Sequence, residues 1–152
     1  MSLYFPLFVD LSQKHVLFIG GGTVNARRVR TILDFAGRVS VVSPEVHEYI
    51  DALAQRELIT WHKKRFSEDD LDDADICIIS TGHAGTDVRI AGMCRRRGIL
   101  VNAASDESLC DFYFPGVARK DPLVVGVTAS GEDHKMAAEA TAYFKKLLKD
   151  ER

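Results

Sequence analysis

The run His15-Val-Leu-Phe-Ile-Gly-Gly-Gly22 constrains this chain more than any other feature, because a nearly continuous apolar stretch ends in three consecutive glycines. Such a run, bounded by glycine and lacking polar alternation, suits a strand buried on both faces, the condition of a parallel sheet covered by helices. The glycines then open a segment from Thr23 to Phe35 in which Val24, Val29, Ile32, Leu33 and Phe35 approximate a helical face. Gly37 follows where a C-terminal cap belongs.

The same alternation continues downstream. Val39 to Val42 reads as a second strand, Ser43-Pro44 as a turn and Val46 to Arg56 as a helix. Leu58 to Trp61, Asp75 to Ser80 and Ile99 to Val101 read as further strands, with a helix over Ala84 to Arg97. Strands alternating with helices imply a parallel sheet. After Asn102 the rhythm changes. Phe112 to Ala118 and Leu123 to Thr128 are strand-like, and Arg119-Lys120-Asp121-Pro122 between them suits a turn joining antiparallel strands. His134 to Lys149 places Met136, Ala137, Ala140, Phe144, Leu147 and Leu148 at helical spacing and ends in lysines, which favours the carboxyl end of a helix. The expected class is α/β, a Rossmann-like parallel sheet over residues 1–102 with a small C-terminal α+β segment over 103–152.

At 152 residues the chain makes one domain with a small appendage, and 46% hydrophobic with 28% charged residues is the balance of a globular protein. With a formal net charge of −2, the scattered basic groups Arg27, Arg28 and Arg30, Lys63 to Arg65, Arg95 to Arg97 and Lys145 with Lys146 read as solvated faces, not a nucleic-acid surface. Cys77, Cys94 and Cys110 form no C-x-x-C pair and have no histidine at ligand spacing, so no protein-bound metal is expected. Cys77, inside an apolar run, reads as a small buried hydrophobe. The segment from Met1 to Asp10 lacks a basic start and an apolar stretch, and no run reaches membrane-spanning length, so a cytoplasmic protein is expected.

Gly20, Gly21 and Gly22, after a strand and before a helix that begins at Thr23 and Val24, stand where a dinucleotide fingerprint requires them. One glycine permits the tight turn, another lets the backbone approach a pyrophosphate, and the helix terminus offers unpaired N–H groups. The third small residue of the pattern is replaced by the bulkier Asn25. At the end of the second strand stands Ser43, with neither a carboxylate for a ribose hydroxyl nor an adjacent arginine for a 2′-phosphate. Thr81 and Gly82, after the fourth strand, are expected to line the opposite side of the cofactor crevice.

Tyr4-Phe-Pro-Leu-Phe-Val-Asp-Leu11, Gly20-Gly-Gly-x-Val-x-Ala-Arg-Arg28 and Val41-Val-Ser-Pro44 closely resemble the start of the siroheme-synthase N-terminal module. Val101-Asn102, Leu109-Cys-Asp-Phe112, Phe114-Pro115 and Asp121-Pro-Leu-Val-Val125 extend that resemblance to the last helix. It implies NAD-dependent oxidation of precorrin-2 to sirohydrochlorin, in several members followed by Fe²⁺ insertion. It also implies a homodimer, the segment after Asn102 forming the dimerisation region and part of the tetrapyrrole cleft.

Two positions depart from the family pattern. Where the family carries an acidic residue proposed for catalysis, this chain has Ser105, with Asp106 next to it; successive residues of an extended segment point to opposite sides. A family Ser-Gly-Gly motif reads Ala129-Ser130-Gly131 here. Asp106 is the expected proton acceptor, with Ser105 beside it. Asn102, Arg119, Ser130 and His134 are expected at the tetrapyrrole, where Arg27, Arg28 and Lys120 would also suit its carboxylates. His134, Asp133, Asp111 and His83 are the candidate groups for assisting metal insertion, while His15, His47 and His62 read as surface or strand-edge residues. The competing reading, motivated by Ser105 and Ala129, is a nucleotide or tetrapyrrole carrier of the same fold without turnover.

Overall fold

The structure is a computed structural model that describes residues 3–150. Met1 and Ser2, where the reading of the N-terminus begins, and the last two residues lie outside it. The chain divides into two compact units, one of Val9–Phe112 and the other of the residues up to Phe8 with those from Tyr113 onward.

In the larger unit, β1 (His15–Ile19), α1 (Thr23–Ile32), β2 (Arg38–Val42), α2 (Glu48–Gln55), β3 (Thr60–His62), β4 (Ile76–Ile79), α3 (Ala84–Arg96) and β5 (Leu100–Ala103) follow one another, with short 3₁₀ turns at Glu68–Leu71 and Glu107–Leu109. The five strands form one sheet in the order β3-β2-β1-β4-β5, every pair parallel. Leu17, Ile19, Cys77, Ile79 and Val101 pack with Ile90, Ala91 and Cys94 of α3. The alternate residues Val16, Phe18, Val41 and Ile78 are equally buried, so both sheet faces are covered. Each such side chain contributes roughly 1.5–3 kcal/mol through burial. The Cys77 thiol, hydrogen-bonded to Cys94 and buried, is pushed well above the usual thiol range and behaves as an inert core residue.

The topology fixes where a ligand can sit. From β1 the chain moves outward to β2 and β3 on one side and later returns to β4 and β5 on the other. The carboxyl ends of β1 and β4 therefore flank the point where strand order reverses, the crevice that open α/β sheets use for ligands.

The smaller unit holds an antiparallel hairpin, β6 (Gly116–Lys120) and β7 (Leu123–Val127), and the long helix α4 (His134–Asp150). A side chain at Gly116 would place its Cβ 2.1 Å from Thr141 Oγ1, so glycine is what lets α4 approach β6. Ala118 and Leu148 are buried in this unit, and the Tyr4 ring meets Tyr113 edge-on at 4.6 Å.

Five local expectations are corrected. β6 starts at Gly116 and not at Phe112, because residues 103–112 are tied back to β5. Asp111 N–H donates to the Val101 carbonyl at 2.7 Å, Val101 N–H to Asp111 Oδ2 at 2.8 Å, and the larger unit accordingly runs to Phe112 instead of ending at 102. α1 stops at Ile32, and Gly37 is not its cap: a Cβ there would lie 2.2 Å from the Ser12 carbonyl, so Gly37 serves a close backbone crossing. His15 is buried, with Nε2 2.9 Å from Ser40 Oγ and Nδ1 2.8 Å from Arg38 Nη2 and 3.1 Å from Asp73 Oδ1. His47 caps α2, its Nδ1 accepting from Tyr49 N–H at 3.1 Å.

Candidate functional site

Gly20 has φ +97°, and a Cβ on it would fall 2.0 Å from the Ser80 carbonyl, so this turn admits glycine alone. Gly21 is equally closed, by Val46 and the Glu45 carbonyl at 2.5 and 2.6 Å. Gly22 differs, since a Cβ there meets nothing within 4 Å and would project into open space. Two glycines serve the fold and the third keeps a surface bare.

α1 begins directly after Gly22 with no side-chain cap and no acidic residue in its first turn. Its first amides lack intrahelical acceptors, and the helix dipole adds partial positive charge there, an arrangement that receives an anion. Asn25, in place of a third small residue, is fully buried; its Nδ2 donates to the carbonyls of Gly20 at 2.8 Å and Ile19 at 3.2 Å. The bulkier side chain joins helix to strand by hydrogen bonds where a smaller one would do so by contact.

A cavity of ≈ 520 Å³ opens over this bend, within the size range of cofactor sites. All eight residues expected at a cofactor line it: Gly20, Gly21, Gly22, Thr23, Val24, Ser43, Thr81 and Gly82. Glu45, Val46, His47 and Ser80 complete the wall. They lie outside the glycine motif: Ser80 follows β4, and the segment before α2 meets the bend through Glu45, Val46 and the bond from His47 N–H to the Gly21 carbonyl, 2.6 Å. The Ser43 hydroxyl donates to the Glu45 carbonyl at 2.6 Å, and its own carbonyl accepts from Trp61 Nε1 at 2.9 Å. The cavity therefore matches a dinucleotide in its bare glycine, its uncapped helix and its volume.

Behind Thr81 lies a group that the sequence reading missed. Asp87 of α3 is fully buried, accepting from the Thr81 hydroxyl at Oδ1 and from the Ser105 hydroxyl at Oδ2, the latter at 2.7 Å. The available signal was its register: Asp87, Ile90, Ala91 and Cys94 are all buried on α3, so a carboxylate occupies one position of an apolar stripe.

The other expected site residues are dispersed. Ser105 is exposed and directed at Asp87, whereas Asp106 caps the 3₁₀ turn at Glu107–Leu109, accepting from Ser108 N–H at 2.8 Å. Hydrogen bonds from Ser108 hold the Asp106 carboxyl below its ordinary range, which makes it a weaker base. Asn102 is buried, bonded to Arg28 and to the Phe112 carbonyl. Arg119, Ser130 and His134 belong to the smaller unit: Arg119 lies on β6 with Asp121 at 3.4 Å, Ser130 takes a left-handed backbone (φ +54°), and His134 starts α4. Among the described residues, no three His, Cys, Asp or Glu side chains are grouped so as to hold a metal ion, and no helix is long and apolar enough to cross a membrane.

Residues 7–116 match a protein family described as "Putative NAD(P)-binding". Siroheme synthase 1 of Serratia proteamaculans is 32% identical over 145 residues, covering 95% of this chain and 30% of that protein. Siroheme synthase 1 of Cronobacter sakazakii is 34% identical over 145 residues, again 95% of this chain and 31% of that protein. The chain thus spans less than a third of the length of these relatives. Among solved structures, one titled SirC, precorrin-2 dehydrogenase, superposes with a TM-score of 0.75 at 20% identity, covering 95% of this chain and 71% of the other, a likeness of fold.

Proposed function

The chain belongs to the NAD(P)-binding family that it matches over residues 7–116 and is a relative of the siroheme synthases; on that premise we propose that it is an NAD-dependent dehydrogenase converting precorrin-2 to sirohydrochlorin. The observation that carries the reading is the meeting of the Gly20–Gly22 bend and the Ser80–Gly82 segment around one cavity at the reversal of strand order.

Bound there, the dinucleotide supplies a nicotinamide ring that accepts hydride. The protein's part is position. Gly22 leaves room for the pyrophosphate, the first amides of α1 hold its charge, and Ser43 with Glu45 faces the ribose end. Thr81 and Gly82 form the wall nearest β4. The substrate is a tetrapyrrole rich in carboxylates, and Arg119, Ser130 and His134 are its proposed contacts in the smaller unit.

The protein is further proposed to act in the cytoplasm as a homodimer. Leu3, Phe5, Leu7 and Phe8 are at least 71% exposed, and Met136 and Tyr143 of α4 at least 60%, apolar side chains that a second copy of the chain would cover. Sedimentation equilibrium at twice the chain mass supports this, and a monomer at micromolar concentration contradicts it.

The deciding experiment is an anaerobic assay of purified protein with NAD and precorrin-2. The sirohydrochlorin absorbance should rise in step with NADH. Tetrapyrrole binding without NADH formation would identify a carrier instead. The same assay with Fe²⁺ added tests insertion of the metal as a second step.

A further inference from the structure

A buried carboxylate remains that the cofactor site does not use. Asp87 has no exposed surface, and an ionised carboxylate in such a place is costly unless hydrogen-bonded. Both its oxygens are engaged by hydroxyl groups, Thr81 on Oδ1 and Ser105 on Oδ2, and Thr81 lines the cofactor cavity. Ser105 is exposed while its partner is not.

This difference gives the pair a direction. A serine hydroxyl has one proton and two acceptor lone pairs; with the proton committed to Asp87, Ser105 presents only acceptor capacity outward. Resting on the dehydrogenase reading, we propose that Ser105 and Asp87 form a composite base behind the Thr81 wall of the cofactor cavity, Ser105 meeting the substrate and Asp87 storing the proton.

The balance is simple. A substrate C–H bond breaks and its hydride passes to the oxidised nicotinamide, so the substrate loses two electrons. The accompanying substrate proton bonds to Ser105 Oγ as the hydroxyl proton of Ser105 passes to Asp87 Oδ2, converting the carboxylate to the acid. The proton then returns through Ser105 to water. Asp87 acts through Ser105, so it is a positioning and relay residue. Asp106, one residue on, accepts from Ser108 N–H at Oδ1 and lies outside this pair.

Asp87→Asn preserves size and the bond from Thr81 but keeps a single acceptor oxygen, so it cannot also accept from Ser105. It is expected to lower kcat by about 100-fold or more, the range of a lost general base. KM and NAD affinity should stay within about twofold, Ser105→Ala should behave alike, and the double variant should be no worse, as for groups acting as a unit. Ser105→Asp placed in the Asp87→Asn background puts a carboxylate where the relay meets the substrate and should restore much of kcat. In the cofactor-free wild type, the Ser105 hydroxyl proton should exchange slowly enough for its own NMR resonance, absent in Asp87→Asn.

An active wild type with both variants near wild-type kcat overturns the relay and leaves the dehydrogenase reading standing. So does a kcat loss matched by equal loss of NAD affinity and of melting temperature without rescue by Ser105→Asp. If Asp87→Asn fails to fold, Ser105→Ala alone decides by the same criteria. A wild type that binds NAD and precorrin-2 yet forms no NADH overturns the dehydrogenase reading, and the relay with it; an unprotected Ser105 hydroxyl overturns the pairing whatever the activity.

Discussion

Arg28 donates from Nη1 to Asn102 Oδ1 at 2.8 Å, and Asn102 passes the connection on from Nδ2 to the Phe112 carbonyl, also at 2.8 Å. One side chain thereby joins α1, β5 and the segment that ends the larger unit. Asn102 is only 4% exposed, which leaves it little surface for a tetrapyrrole. Burial also works against the Arg28 charge, lowering its proton affinity, so a hydrogen bond to that guanidinium is worth more than one in water.

Asn102→Ala is therefore expected to cost about 1–3 kcal/mol, the penalty for leaving buried polar partners unsatisfied. Chemical denaturation of the variant measures this. NAD affinity should be unchanged, and a variant of full stability that fails to bind tetrapyrrole would show that Asn102 serves the substrate after all.

Gly20→Ala should be destabilised by about 1–3 kcal/mol or fail to fold, because its backbone is left-handed and the new Cβ would strike the Ser80 carbonyl. Thermal melting checks this. A wild-type melting temperature would mean that β1 and β4 do not close on that bend.

Much of this architecture was legible in the residues. The apolar run at His15–Ile19, the glycines after it and the stripe on α1 set the sheet and its ligand edge, and the same signals recur at β2, β4 and α3. What escaped was non-local. Phe112 to Pro115 looks strand-like, but the bonds of Asp111 to Val101 draw the preceding residues back to the parallel sheet. His15 reads as a strand edge because its partners Ser40, Arg38 and Asp73 come from other parts of the chain. Asp87 stayed hidden for a related reason: only the fold brings Ser105 and Thr81 to it, 18 residues later and six earlier in the chain.

Acid should destabilise the protein through the carboxylates around His15. Arg38, bonded to Asp73, holds that carboxyl below its ordinary range, and the His15 N–H does the same for Asp75 at 2.8 Å. Carboxyls whose pKa is lower when folded contribute stability above their unfolded value, about pH 4, and that contribution is lost as pH falls through the folded value. Denaturation midpoints should decline below about pH 4, and the decline should flatten in Asp73→Asn and Asp75→Asn. Variants with an unchanged acid limb would show that these pairs contribute nothing, as exposed ion pairs sometimes do.

The most direct measurement is calorimetric titration of the purified chain with NAD and with NADP, repeated on Gly22→Val. The bare glycine projects into open space, so the variant should melt like the wild type. Wild type should bind one dinucleotide per chain, NAD in preference, and Gly22→Val should lose at least about tenfold in affinity, or 1.4 kcal/mol. Heat from neither dinucleotide, or equal binding by the variant, would contradict the assignment of this cavity.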